Sequence, residues 1–163
     1  MIKIVTQFLD SETWILLSRL LTHENALVVM AMLETGLRVS DVLNIRTSQL
    51  SNNLTVEESK TGKLRDVTIS DNLLKELQEV AGQHFVFEHR SYVYAHRTRQ
   101  AVWADIKRAK KALRIKDNIA CHSARKTYAV EEWRRTHDLG HVQRLLNHDR
   151  PETTLIYLIS EFM

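Results

Sequence analysis

Apolar positions along this chain recur mostly at helical spacing. Over residues 10–21 the set Trp14, Ile15, Leu16, Leu17, Leu20 and Leu21 follows a capping Asp10 or Ser11, which predicts an opening helix. A second helix, over 25–35, is apolar almost all round (ALVVMAML) and belongs at the centre of the core. Gly36 stands where a helix C-terminus tolerates positive φ, and Ser40-Asp41 restart a helix through Val42, Leu43 and Ile45. Between 53 and 70 the period falls to two. Leu54, Val56 and Glu58 alternate with Thr55, Glu57 and Ser59, and Val67 and Ile69 resume beyond the polar Lys60-Thr61-Gly62-Lys63. That pattern predicts a β-hairpin. Ser70 or Asp71 caps the next helix, with Leu73, Leu74, Leu77 and Val80 inward and Gly82 ending it, and Phe85-Val86-Phe87 predicts one more short strand. From Thr98, Val102, Ile106, Ala109 and Leu113 fall on one helical stripe, with Lys107, Lys110, Lys111 and Arg114 away from it. Further helices are expected near 123–135 and 138–146, and a last one after Pro151. The fold class is mainly α with a small antiparallel β-sheet, an α+β domain.

Composition narrows the setting. The 163 residues can bury a full core, and 44% hydrophobic with 26% charged residues is globular. The single cysteine, Cys121, excludes an internal disulfide. No apolar run approaches the ~20 residues of a membrane helix, and the N-terminus lacks a secretory pattern. A cytoplasmic protein without a membrane partner is the expectation. A net charge of +3 permits a polyanionic partner without demanding one.

The chemistry-bearing residues form a constellation. Thr35-Gly36-Leu37-Arg38 puts Arg38 in a turn between two helices, and Lys60 stands at the mouth of the hairpin. His122 and Arg125 begin a helix one turn apart, at i and i+3, so both can face one ligand. His148 follows the helix end Arg144-Leu145-Leu146-Asn147, and Tyr157 lies nine residues later on the final helix.

From about Phe8 to Ile159 these segments resemble the tyrosine recombinase (phage integrase) family. TGLRVSDVLNI is similar to the segment around the family's first catalytic arginine, and SKTGK to its hairpin lysine. HSAR resembles its His-x-x-Arg box, and LLNHDRPETTLIY its terminal His-plus-Tyr segment, paired threonines included. The resemblance implies site-specific breakage and rejoining of duplex DNA by a recombinase or integrase through a 3′-phosphotyrosine. Its catalytic set is Arg38, Lys60, His122, Arg125, His148 and Tyr157. Two guanidinium forks suit phosphate oxygens better than lysines would, and they act by stabilising charge in the transition state. Tyr157, a phenol of ordinary pKa about 10, needs a base, for which His122 is best placed. Lys60 resembles the general acid for the 5′-hydroxyl, and His148 a hydrogen-bond donor to phosphate. Asp41 resembles an acidic position that orients a catalytic neighbour. Neither metal nor nucleotide cofactor is implied.

Taken singly, each residue has a plainer reading. An arginine past a helix end commonly caps carbonyls, a tyrosine in an apolar helix is commonly core, and lone histidines and turn lysines are commonly solvated. Four segments in one order, at matching separations, leave little room for six coincidences. The basic run 106–111 divides evenly between a solvated face and a DNA-phosphate contact. His137 and His141 lack the glutamate of a zinc-protease motif and a third ligand. Cys121 beside His122 lacks an activating partner.

The chain departs from the family in places. The catalytic segments start about thirty residues in, so residues 1–163 read as a single catalytic domain without the N-terminal core-binding domain that clamps DNA. Asn147 stands where glycine is usual, and Lys126 where histidine is common. Only six residues follow Tyr157, short for a tail reaching a neighbour. The implied assembly is a tetramer on paired DNA sites and a monomer without DNA. Alternatives are a DNA-binding accessory protein with the same fold, or a type IB topoisomerase or telomere resolvase. A metal-dependent nuclease is a distant third, for want of a carboxylate cluster.

Overall fold

The computed structural model describes residues 6–159, in which eight α-helices and the β-hairpin follow one another in the order the sequence suggests, with a second small antiparallel sheet that it does not. Helix α1 spans Ser11–Ser18, α2 His23–Thr35 and α3 Val39–Leu43. Strands β1 (Asn53–Glu57) and β2 (Leu64–Thr68) form the hairpin, and α4 spans Asp71–Val80. Strands β3 (Glu88–His89) and β4 (Tyr92–His96) precede α5 (Arg99–Ala112). Helices α6 (Cys121–Thr136), α7 (Leu139–Leu145) and α8 (Pro151–Ile159) complete the order.

The nearly all-apolar α2 is the central helix, packed against α1, α3, α4, α5 and α6. Its Val28, Val29 and Met32 are fully enclosed. Side-chain caps start the outer helices. Asp10 accepts from the Thr13 amide, Ser70 from Leu73 and Thr98 from Ala101, each supplying a donor that the first turn lacks. Trp14 ties α1 to α6 through an indole N–H to Thr127 Oγ1 bond of 2.9 Å. A smaller cluster of Ala129, Val142, Leu146 and Tyr157 joins α6, α7 and α8, flanked by Tyr128 and Trp133.

In the hairpin Leu54 faces Val67 and Val56 faces Arg65, so the inward row carries one arginine among aliphatics. Two readings of the pattern need correction. Phe85-Val86-Phe87 is wholly buried, with Phe85 bridged to Arg46, and the second strand pair forms beyond it, at β3 and β4. A run buried on every side has no period to mark a strand. Leu113 is 38% exposed because α5 ends at Ala112 and Arg114 turns left-handed (φ 54°), carrying Leu113 off the stripe. No helix among the described residues is long and apolar enough to cross a membrane.

Candidate active site

The site begins at the end of α2. Gly36, at φ 64°, closes the helix with an amide bond to the Met32 carbonyl of 2.8 Å. That left-handed residue turns the chain sharply enough to make Arg38 the N-cap of α3. The ring of Tyr128 occupies the space that a side chain at this position would need. One turn into α3, Asp41 is fully buried and accepts from the Ser59 amide (2.9 Å) and hydroxyl (2.6 Å). This holds the hairpin mouth against α3, with exposed Lys60 as the next residue.

Helix α6 supplies the floor. The Ala120 amide donates to Ser123 Oγ at its start, and His122 and Arg125 follow one turn apart. Arg125 is fully buried, and its two terminal nitrogens donate to the carbonyls of Gly36 (2.6 Å) and Leu146 (2.7 Å). Its guanidinium thus joins the ends of α2 and α7. Leu146 caps α7, and Asn147 behind it adopts φ 52°, the left-handed geometry that asparagine tolerates in glycine's place.

Tyr157 is carried on α8 with 8% exposure. Its hydroxyl lies 2.6 Å from His122 Nε2. The His122 and His148 rings approach the phenol edge-on, with centroids 5.1 and 5.0 Å away. His148 Nδ1 is 2.9 Å from the hydroxyl of buried Thr154, one turn before Tyr157 on the same helix. The second of the paired threonines therefore orients a histidine. The Lys126 ammonium sits 5.7 Å from the phenol centroid.

Burial and cationic neighbours set the protonation states. Burial, then Arg125 and Lys126, pull His122 down to about 4. Burial, then Arg125 and Arg38, pull His148 down to about 3. Both imidazoles are therefore neutral near pH 7. Burial also lowers Arg125 to about 10 and raises Tyr157 above the ordinary phenol range, against the pull of the Arg125 charge. At neutral pH the phenol keeps its proton and shares a hydrogen bond with His122 Nε2, which accepts it when the imidazole proton sits on Nδ1.

Arg38, Lys60, His122, His148 and Tyr157 line one open cleft of about 330 Å³, which Asn147 and Thr153 also border. Arg125 lies beneath it. All six residues picked from the sequence are thus brought together. A neighbouring cavity of about 390 Å³ shares Arg38 and His122 and extends to Arg99 and Trp103 on α5. Cys121 lines it, but burial pushes its thiol up to about 11, so it is no nucleophile. His137 is the left-handed cap of α6 against Trp133, and His141 Nε2 lies 3.6 Å from Glu132, both structural positions. In the basic run Arg108 pairs with Asp105 and the Leu20 carbonyl, while Lys107 covers Trp103 at 5.0 Å.

Sequence reading missed Glu58 and Arg65, both buried behind Arg38. The signal was present: Arg65 occupies an inward position of β2, and Glu58, one residue past the end of β1, continues the inward alternation of Leu54 and Val56. It also missed the ion pair of Lys63 with Asp149, which bridges the hairpin to the loop before α8.

Comparison with known proteins identifies a family and a fold. The model described as "Phage integrase family" matches residues 11–162. The probable integrase/recombinase YoeC of Bacillus subtilis (strain 168) is 29% identical over 134 residues, covering 77% of this chain and 72% of YoeC. Tyrosine recombinase XerD of Lacticaseibacillus casei is 32% identical over 137 residues, covering 77% of this chain and 47% of XerD. The chain spans about half the length of most of the curated relatives it matches. A crystal structure of a lambda integrase dimer bound to a COC′ core site shares the fold. Its TM-score is 0.82 at 20% identity, over 97% of this chain and 49% of that one.

Proposed function

The chain belongs to the phage integrase family, and on that footing we propose that it breaks and rejoins duplex DNA as a site-specific tyrosine recombinase. One observation carries the reading: the Tyr157 hydroxyl is hydrogen-bonded to a neutral imidazole inside a cleft walled by cations. A nucleophile, a base and cover for phosphate charge are the parts that transesterification at phosphorus requires.

In this reading Arg38 and Arg125 receive the nonbridging oxygens of the scissile phosphate. His122 Nε2 takes the phenol proton as Tyr157 Oη bonds to phosphorus. The bond from phosphorus to the 5′-oxygen breaks, and Lys60 protonates that oxygen. His148, with Nδ1 held by the Thr154 hydroxyl, presents its Nε2–H to the phosphate. One phosphodiester replaces another, so bond energy is conserved and a 5′-hydroxyl can reverse the step. The cations supply the charge cover for which many phosphoryl-transfer enzymes use metal ions.

The duplex extends along α5. Arg99 and Trp103 border the site, exposed Lys107 and Lys111 continue along the helix, and exposed Arg114 follows just beyond its end. These contacts give affinity without sequence information. Each tyrosine cuts one strand, so exchange between two duplexes takes four chains on paired sites. The compartment is the one holding the DNA, the cytoplasm.

The test is incubation with a randomised duplex pool in excess EDTA, followed by denaturation and search for covalently attached DNA. The expected result is an adduct whose nuclease-trimmed peptide carries the nucleotide on Tyr157. Attachment elsewhere, or strict dependence on added metal, would contradict the proposal.

A further inference from the structure

A buried carboxylate lies behind the cleft, outside the six residues assigned above. Glu58, two residues before Lys60, is fully enclosed. Its Oε2 accepts from Arg38 Nη1 at 2.7 Å and from the Thr61 hydroxyl at 3.1 Å, and its Oε1 lies 3.8 Å from Arg65 Nη1. The backbone of the same residue closes the turn that carries Lys60. The Glu58 amide donates to the Lys63 carbonyl (2.9 Å), while the Thr61 and Gly62 amides donate to the Glu58 carbonyl (3.2 and 2.8 Å).

Arg65 belongs to the same arrangement. It is 6% exposed and donates to the carbonyls of Thr35 and Gly36, the latter shared with Arg125. Three guanidinium groups therefore converge on the end of α2, and Glu58 is the carboxylate between two of them. Glu58 Oε1 has no hydrogen-bond partner among the described residues. A buried anionic oxygen left in that state opposes folding, and an apolar residue in this inward register would avoid the penalty. The negative field also reaches the chemistry, favouring the charged form of Arg125 and disfavouring the phenolate of Tyr157.

We propose that Glu58 is a positioning residue that stands in for the scissile phosphate. It holds the Arg38 fork and the Lys60 turn in one register while DNA is absent, and competes with phosphate for Arg38 when it arrives. The inference rests on the recombination reading above. It makes Glu58 act against anion affinity and in favour of alignment, a combination that a purely structural residue would not produce.

The experiment compares wild type with Glu58→Gln, which keeps an acceptor for Arg38 and removes the charge. Inorganic phosphate binding, read by thermal shift, should tighten by about threefold or more, because a competing anion has gone. Covalent adduct formation on the randomised duplex pool should slow on the order of tenfold, because the fork is no longer firmly held. Glu58→Asp keeps the charge but shortens its reach. It should slow adduct formation while leaving phosphate affinity within about twofold of wild type, and it carries the test alone if the glutamine variant fails to fold. Phosphate affinity that is unchanged or weaker in Glu58→Gln, or adduct formation at the wild-type rate in either variant, would overturn the inference. Absence of any wild-type adduct would instead count against the recombination reading, and the phosphate arm would still decide the role of Glu58.

Discussion

At the scale of single residues, the site assigns distinct tasks that can be separated chemically. Lys60 is read as the acid for the leaving 5′-oxygen. A sulfur in that bridging position leaves as a thiolate near neutral pH and needs no proton. Lys60→Ala should therefore lower adduct formation by about 10²-fold or more on ordinary duplex and regain most of it on a bridging 5′-phosphorothiolate. Equal loss on both substrates would remove Lys60 from that role. The two depressed histidines make a separate prediction about stability. His122 and His148 fall to about 4 and 3 in the folded chain, against an ordinary value near 6.5. The unfolded chain thus binds more protons between these limits. Their contribution is complete above about pH 6.5 and is lost as pH falls towards 4, a change on the order of 3 kcal/mol for the pair after allowance for solvent. Denaturant melts at stepped pH should show this slope, and His122→Gln with His148→Gln should flatten it. Excess phosphate should also reduce it, by stabilising the charged imidazoles. A flat wild-type profile from pH 7 to 4 would contradict the electrostatic account.

At the scale of elements, the site depends on how α2 ends. Gly36→Ala places a methyl into the Tyr128 ring at a backbone angle that L-residues disfavour. It should cost at least about 2 kcal/mol by denaturant melt. Because the Gly36 carbonyl holds Arg125, adduct formation should fall in the fraction that still folds. Full activity in a well-folded variant would mean that this carbonyl does not place Arg125. Much of the element layout was legible in the sequence, since α2 is apolar all round, the hairpin alternates strictly and α5 carries one clear stripe. The turn at Gly36 was legible for the same reason, as glycine marks positive φ. The second sheet was not, because buried Phe85–Phe87 shows no period and Tyr92-Val93-Tyr94 points apolar side chains at solvent. The six site residues were legible through their segments, taken in order and at matching separations. What brings them together lies in bonds that leave no sequence pattern: Arg125 to Gly36 and Leu146, Asp41 to Ser59, Thr154 to His148. Glu58 and Arg65 read as strand residues of the wrong polarity, and only their partners give that mismatch a meaning.

At the scale of the whole molecule, a net charge of +3 is modest, so affinity rests on where the cations lie rather than on their number. On the proposed duplex path, Lys107 and Lys111 on α5, Arg114 just beyond its end and the site arginines would provide at least four phosphate contacts. The slope of log affinity against log salt should then be near −0.9 per contact, or about a 10²-fold loss between 50 and 200 mM salt. A salt-insensitive affinity would place the duplex elsewhere. The central claim is that Tyr157 is the nucleophile, and Tyr157→Phe tests it most directly. The substitution removes one oxygen and leaves the ring in its cluster with Ala129, Val142 and Leu146. Wild type and variant are incubated with the same duplex pool, denatured and compared for covalently bound DNA. The account requires an adduct with wild type and none with Tyr157→Phe, at equal stability and equal duplex affinity. A covalent adduct retained by the phenylalanine variant would show that another group attacks the phosphate.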